Sequence, residues 1–275
     1  MQKFFQTLFT ILERLSPRLG SKLAFKLFFT PLRAPNRPVD TAFREKAEHW
    51  SVEVHGKQTN VYRWGAGKVI VLAHGWGSKA LHYRRYIEQI VDAGFSVVAP
   101  DMPAHGTSKG KTTSALEFRD TLTHIAAKYG PIHGLVGHSL GAMACVLMLM
   151  ENNHKVERFV VMNSSTTALN IVLRFQSQTH AGPKTIERFY DRTSTYLKQD
   201  FRSMNVSRFY QSIAAKPALL VVADNQDPEV PLIEAKELAI AGGGELYITH
   251  GLEHTGSMKD EATIKRIVDF IQGDE

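Results

Sequence analysis

Gly137-His138-Ser139-Leu140-Gly141 sets a serine midway between two glycines, with an apolar run, Ile132–Val136, before it and a helix-forming run, Ala142–Met150, after it. A serine hydroxyl held on a sharp strand-to-helix turn is the arrangement that serves as a nucleophile elbow in acyl transfer. The glycines allow the tight turn. The turn presents the Ser139 hydroxyl at the carboxyl end of a sheet. It also places the Leu140 amide at a helix start, where it can face a developing oxyanion.

A serine hydroxyl needs a base to take its proton and a carboxylate to orient that base. In chain order the acid and then the base should follow the elbow, each in a loop after a strand. Ala218–Ala223 reads as a strand, and Asp224-Asn225-Gln226-Asp227-Pro228-Glu229 follows it. Asp224, Asp227 and Glu229 compete there. Asp227 is preferred because the prolines around it hold the loop still, with Asp224 as the alternative. Glu245–Thr249 reads as the last strand, and His250 and His254 follow. His250 should pack at the strand end, whereas His254 lies far enough along the loop to reach Ser139. A second oxyanion donor is the Trp76 amide in His74-Gly75-Trp76-Gly77, directly after the strand Val69–Ala73. His74 reads as a hydrogen-bonded structural residue. Asp101-Met102-Pro103-Ala104-His105-Gly106-Thr107-Ser108 reads as a loop that buttresses the site.

These loops need a scaffold of alternating strands and helices. His49–Val54 and Asn60–Trp64 alternate in the manner of a hairpin turning near Gly56. Phe95–Ala99 and Arg158–Met162 are further strands. Helices are predicted over His82–Ala93, Ser114–Tyr129, Pro231–Ala239 and Ala262–Gln272, with Ser114 and Glu117 at capping-box spacing. Repeated strand–helix units predict a mostly parallel α/β sheet flanked by helices, with the core over residues 41–164 and 215–275. Residues 165–214 break the alternation. They are helical in character and rich in Phe, Tyr and Arg, and they follow a strand end. They are expected to form a lid over the carboxyl edge of the sheet, the alternative being a purely structural helical subdomain.

The net charge of +6 is concentrated at the N-terminus, where residues 1–40 hold seven basic side chains (Lys3, Arg14, Arg18, Lys22, Lys26, Arg33, Arg37) and two acidic ones (Glu13, Asp40). The nearly neutral remainder argues against nucleic acid as a partner of the main domain. Residues 1–40 read as an amphipathic basic helical segment followed by a linker stiffened by Pro31, Pro35 and Pro38. Two fates are open for that segment: a helical pair packed on the domain, or an interfacial helix on anionic lipid. It is too short and too polar to span a bilayer, and it lacks a secretory-signal pattern. The single cysteine, Cys145, excludes an intrachain disulfide and suits a cytoplasmic location, at most peripheral to a membrane. No cluster has metal-ligand spacing, so neither metal nor cofactor is expected.

The four ordered motifs HGWG, DMPAHGTS, GHSLG and DNQDPEVP…GLEH resemble those of the α/β-hydrolase superfamily. Their order and spacing are similar to those of bacterial serine hydrolases with a helical cap between the sixth and seventh core strands. The resemblance implies Ser139 as nucleophile, His254 as base, Asp227 as acid, and the Trp76 and Leu140 amides as the oxyanion hole. Two features depart from the pattern. Position 104 is alanine where many relatives have glycine, and the triple glycine of many lipases is missing. Haloalkane dehalogenases and epoxide hydrolases of this fold use aspartate at the elbow, so serine implies an acyl-enzyme route.

The expected function is hydrolysis of carboxylic esters with small to medium acyl chains, the partner being a small-molecule ester. Thioesterase, lysophospholipase-like, acyltransferase and C–C hydrolase activities would use the same residues. A non-catalytic binding protein on the same fold is the alternative of a different class. The oligomeric state is open.

Overall fold

Val69, Val71 and Ala73 face one side of their strand, and Ile70 and Leu72 face the other; all five are buried. The same alternation recurs in neighbouring strands: Phe159 and Val161 against Val160 and Met162, and Leu219, Val221 and Ala223 against Leu220 and Val222. A strand apolar on both sides is stable only with helices on both of its faces. This sequence pattern therefore demands a covered sheet.

The computed structural model describes residues 2–151 and 154–273. In chain order the elements are α1 (Gln2–Leu15), α2 (Pro17–Phe28), α3 (Pro38–Arg44), β1 (Glu48–Val54), β2 (Lys57–Trp64), β3 (Val69–Ala73), α4 (Arg84–Asp92), β4 (Ser96–Pro100), α5 (Ala115–Tyr129), β5 (Ile132–His138), α6 (Leu140–Met150), β6 (Val156–Met162), α7 (Ala168–Thr179), α8 (Pro183–Leu197), α9 (Val206–Gln211), β7 (Ala218–Asp224), α10 (Leu232–Gly242), β8 (Glu245–Thr249) and α11 (Glu261–Gln272). The strands form one sheet of order β1-β2-β4-β3-β5-β6-β7-β8. β2 is antiparallel to β1 and to β4, and all the remaining pairs are parallel. Parallel strands put the loops after β3, β5, β7 and β8 on one edge, where open α/β sheets bind ligands. This is an α/β-hydrolase fold, a mostly parallel eight-stranded sheet flanked by helices.

Local chemistry accounts for the element ends. His55 and Gly56, both at positive φ, make the two-residue turn between β1 and β2. Ser114 caps α5 by accepting from the Glu117 amide. Two expectations shift. The helix expected from His82 begins at Arg84, after a 3-10 turn over Ala80–Tyr83. Part of the expected Pro-rich linker folds as α3, because Asp40 caps it through the Arg37 amide and pairs with the buried Lys79 at 2.7 Å. That partner lies 39 residues away, which local sequence signals cannot reveal.

The insertion between β6 and β7 carries α7, α8 and α9. Glu234 on α10 ties down its start. That buried carboxylate accepts from the Ser165 and Thr167 hydroxyls, the Thr166 amide and the Asn170 side chain at 2.6–3.0 Å. The N-terminal helices pack on this insertion. Phe9 is fully buried with its ring edge-on to Phe175, and Gly20 approaches Thr185 so closely that a Cβ would lie 2.6 Å from its hydroxyl. Glu13 caps α8 by accepting from the Lys184 and Thr185 amides at 2.9 and 3.0 Å. No described helix is long and apolar enough to cross a membrane.

Candidate active site

Ser139 occupies the turn between β5 and α6 at φ 52° and ψ −123°, a conformation costly for a residue with a Cβ. Close packing enforces it. A Cβ at Gly141 would lie 2.1 Å from the Ala73 carbonyl oxygen, and one at Gly137 would lie 2.4 Å from Ala142 Cα. Only glycine at both ends lets α6 leave the sheet this sharply. The Ser139 amide donates to the Met162 carbonyl and the Ser164 hydroxyl donates to the Ser139 carbonyl, so the strained turn is anchored on β6.

His254 lies in the loop after β8 and Asp227 in the loop after β7. The Ser139 hydroxyl is 3.2 Å from His254 Nε2, and His254 Nδ1–H donates to Asp227 Oδ2 at 2.8 Å. The structure thus brings together the three residues expected from sequence. The Asp227 side chain is 1% exposed. Burial works against its charge, but the bonds from His254 and Asn163 and the Glu229 amide outweigh it and hold the carboxyl below its ordinary pKa. Its Oδ1 accepts from the Glu229 and Val230 amides, which fixes the carboxylate plane. Asp224, the alternative acid, makes no hydrogen bond to His254 among the described residues. It accepts from the Gln226 and Leu252 amides and the Thr249 hydroxyl, joining the two loops. His250 was expected to pack but is exposed, because it leaves β8 at a bend before Gly251 rather than continuing the strand.

Gly75 and Ser78 close a turn through the Ser78 amide and the Gly75 carbonyl, with Trp76 at its corner. A corner amide has no partner within its own turn. Neither the Trp76 nor the Leu140 amide donates to any described residue. Gly75 brings this loop against the elbow, since a Cβ there would sit 2.9 Å from Ser139 Cβ. Two histidines hold the loop. His74 donates from Nδ1 to the Gly75 carbonyl and accepts the Met102 amide at Nε2, 2.9 Å away. His105 donates to the Pro103 carbonyl and accepts the Gly77 amide, also at 2.9 Å. Burial pushes both imidazoles down to about 3, so they stay neutral and keep their acceptor nitrogens. Asp101 completes the buttress by accepting from the Ala80 and Thr107 amides.

Several residues of the site escape sequence reasoning. Asn163, at the end of β6, donates to Asp227 Oδ2 at 3.0 Å and accepts the Ser257 hydroxyl. His138 donates to the His254 carbonyl at 2.8 Å, and burial lowers its pKa to about 4. Asn163 belongs to no motif, His138 sits inside GHSLG at a position the motif leaves variable, and both act through contacts 64 or more residues away. Glu229, weighed only as a competing acid, lies 3.2 Å from His254 Nε2 and pairs with Arg174 of α7. Among the described residues, no three His, Cys, Asp or Glu side chains converge where a metal ion could sit. The arrangement can activate a hydroxyl, orient its base and offer two amides to an anion.

A family model described as alpha/beta hydrolase fold matches residues 68–256. Protein ABHD8 of Mus musculus is 27% identical over 139 residues, 48% of this chain and 29% of that protein. An epoxide hydrolase of Caballeronia sordidicola is 28% identical over 69 residues, 25% of this chain and 21% of that enzyme. The chain thus spans less than a third of the length of these curated relatives. Among solved structures, the esterase Pf2001 of Pyrococcus furiosus superposes with a TM-score of 0.67 at 20% identity, covering 89% of this chain and 96% of the esterase.

Proposed function

The chain belongs to the alpha/beta hydrolase fold family, a membership that supports hydrolase activity, and on that premise we propose that it is a serine hydrolase of carboxylic esters with small to medium acyl chains. The observation that carries this reading is the continuous path from the Ser139 hydroxyl through His254 to the buried Asp227 carboxylate. Ser139 Oγ attacks the ester carbonyl carbon while its proton passes to His254 Nε2. The carbonyl oxygen becomes an oxyanion and accepts hydrogen bonds from the Trp76 and Leu140 amides. His254 then gives its proton to the departing alkoxide, which leaves as an alcohol. Water, deprotonated by His254, attacks the acyl-enzyme in the second half, releasing the acid and restoring Ser139.

Serine rather than aspartate at position 139 sets this reading apart from epoxide opening, the activity in the name of the Caballeronia relative. Asp227 holds the imidazole in the tautomer that accepts from serine. The insertion over residues 165–214 is read as a lid, supported by the reach of Arg174 on α7 to Glu229 beside His254.

The test is hydrolysis of p-nitrophenyl esters from acetate to palmitate by the parent protein and Ser139→Ala, with fluorophosphonate labelling alongside. Labelling and turnover in the parent, both lost in Ser139→Ala, are expected. Labelling without ester turnover would move the reading to thioester or carbon–carbon substrates. A serine that labels no faster than free serine would overturn catalysis by this site and leave a binding protein.

A further inference from the structure

The apolar face of helix α1 spans about 160° at 100° per residue, and the protein covers only one edge of it. Phe9 is buried against the insertion. At the other edge of that face Phe4, Ile11 and Leu15 fall within an arc of about 40° and are 65%, 47% and 79% exposed. Leu19, on the first turn of α2, is 54% exposed. A helix that needed only to dock on α7 and α8 would carry polar residues on that outer side.

The charges beside this stripe have one sign. Lys3 and Arg14 flank it on α1, and Arg18, Lys22 and Lys26 are exposed on α2. The only acid among residues 2–29 is Glu13, whose carboxylate points inward to cap α8. A cleft of about 520 Å³ opens between α2 and α8, lined by Arg18, Arg188, Arg192, Phe25 and Tyr196 among others. Arg192 Nε is buried there with no hydrogen-bond partner among the described residues. Asp191, the one acidic lining residue, faces Arg202 at 3.9 Å. A buried guanidinium nitrogen without an acceptor, beside two more arginines, is an incomplete anion site.

We infer that α1, α2 and α8 form a docking surface for an anionic phospholipid bilayer, in which Phe4, Ile11, Leu15 and Leu19 enter the acyl boundary and Arg18, Arg188 and Arg192 take a headgroup phosphate. Cations beside an apolar stripe favour this occupant over a second copy of the chain, whose matching face would bring the same positive charges together. Docking this way seats the bilayer on the helices that hold the insertion.

The experiment is co-sedimentation of the full chain with phosphatidylcholine vesicles and with vesicles containing about one-third phosphatidylglycerol. Binding to the anionic vesicles only, weakened at about 0.5 M salt, is expected. Two triple variants, Phe4→Ser/Ile11→Ser/Leu15→Ser and Arg18→Gln/Arg188→Gln/Arg192→Gln, should each lower the partition coefficient about tenfold or more. Thermal melts monitor folding, and the salt response of the parent stands whether or not a variant folds. Equal binding to both vesicle types, or unchanged binding by both folded variants, overturns the inference. So does a dimer of the parent in sedimentation velocity that the serine variant dissolves, which would assign the stripe to a second copy. Stabilisation by inorganic phosphate without vesicle binding would assign the cleft to a free anion and also overturns it.

Discussion

Glu229 Oε2 lies 3.2 Å from His254 Nε2, the same nitrogen that Ser139 Oγ reaches at 3.2 Å. Nε2 can accept from Ser139 only while it is unprotonated, and a carboxylate beside it favours the protonated form that donates to Glu229 instead. Arg174, brought by α7, pairs with that same carboxylate oxygen and competes for its charge. Removing Arg174 leaves Glu229 to His254. Arg174→Ala is therefore expected to lower kcat/KM on p-nitrophenyl acetate about three- to tenfold, and the effect should vanish in a Glu229→Gln background, a coupling of about 1 kcal/mol. A double-mutant cycle checks this, and additive effects would refute the coupling.

Asp227→Asn should drop kcat by about four orders of magnitude, because an amide at Oδ2 favours the wrong imidazole tautomer. Asn163→Gly should be milder, about tenfold on kcat/KM, since it frees Asp227 without removing its charge. Glycine is the informative substitution because Asn163 sits at φ 44°, where alanine would add strain of its own. Rates of fluorophosphonate labelling read both effects at Ser139 directly.

Acid should weaken the fold well before its carboxylates protonate. Unfolded His74, His105 and His138 take up protons near pH 6.5, whereas burial lowers their folded pKa values to about 3, 3 and 4. Stability is therefore full above about pH 6.5 and falls as the pH drops from there toward 4, where the unfolded chain binds more protons. Each histidine contributes on the order of a few kcal/mol across that window. Urea melts at pH 7.5, 6 and 5 should show falling midpoints, and His105→Gln should flatten the slope. Midpoints unchanged down to pH 5 would contradict it.

Ala104 occupies φ 65° while buried in the loop after β4. Left-handed backbone costs an L-residue about 1 kcal/mol, partly offset by the greater unfolded freedom of glycine. Ala104→Gly is expected to leave stability unchanged or raise it by up to about 1 kcal/mol. A melting temperature lower by several degrees would show that the alanine methyl makes packing contacts worth more than the strain.

The parts of the site legible in sequence are those written locally. Ser139 announces itself by flanking glycines whose space is taken by Ala73 and Ala142. The loops of Asp227 and His254 follow apolar strand runs, so their place on the sheet edge follows from parallel order. What stayed hidden depends on side chains meeting across long stretches of chain. Asn163 reads as an ordinary strand-end residue until Asp227 arrives beside it. Helix α3 hides in a proline-rich stretch because its stability comes from the buried Lys79. The Glu229–His254 contact depends on a rotamer, which composition and periodicity do not encode.

Glu13 and the α8 amides it caps are 171 and 172 residues apart in sequence. During synthesis α1 therefore leaves the ribosome long before its partner exists. Phe9 and the outer stripe are then both bare, on a helix flanked by cations. The docking of α1 on α8 therefore waits until residues 184 and 185 have been made.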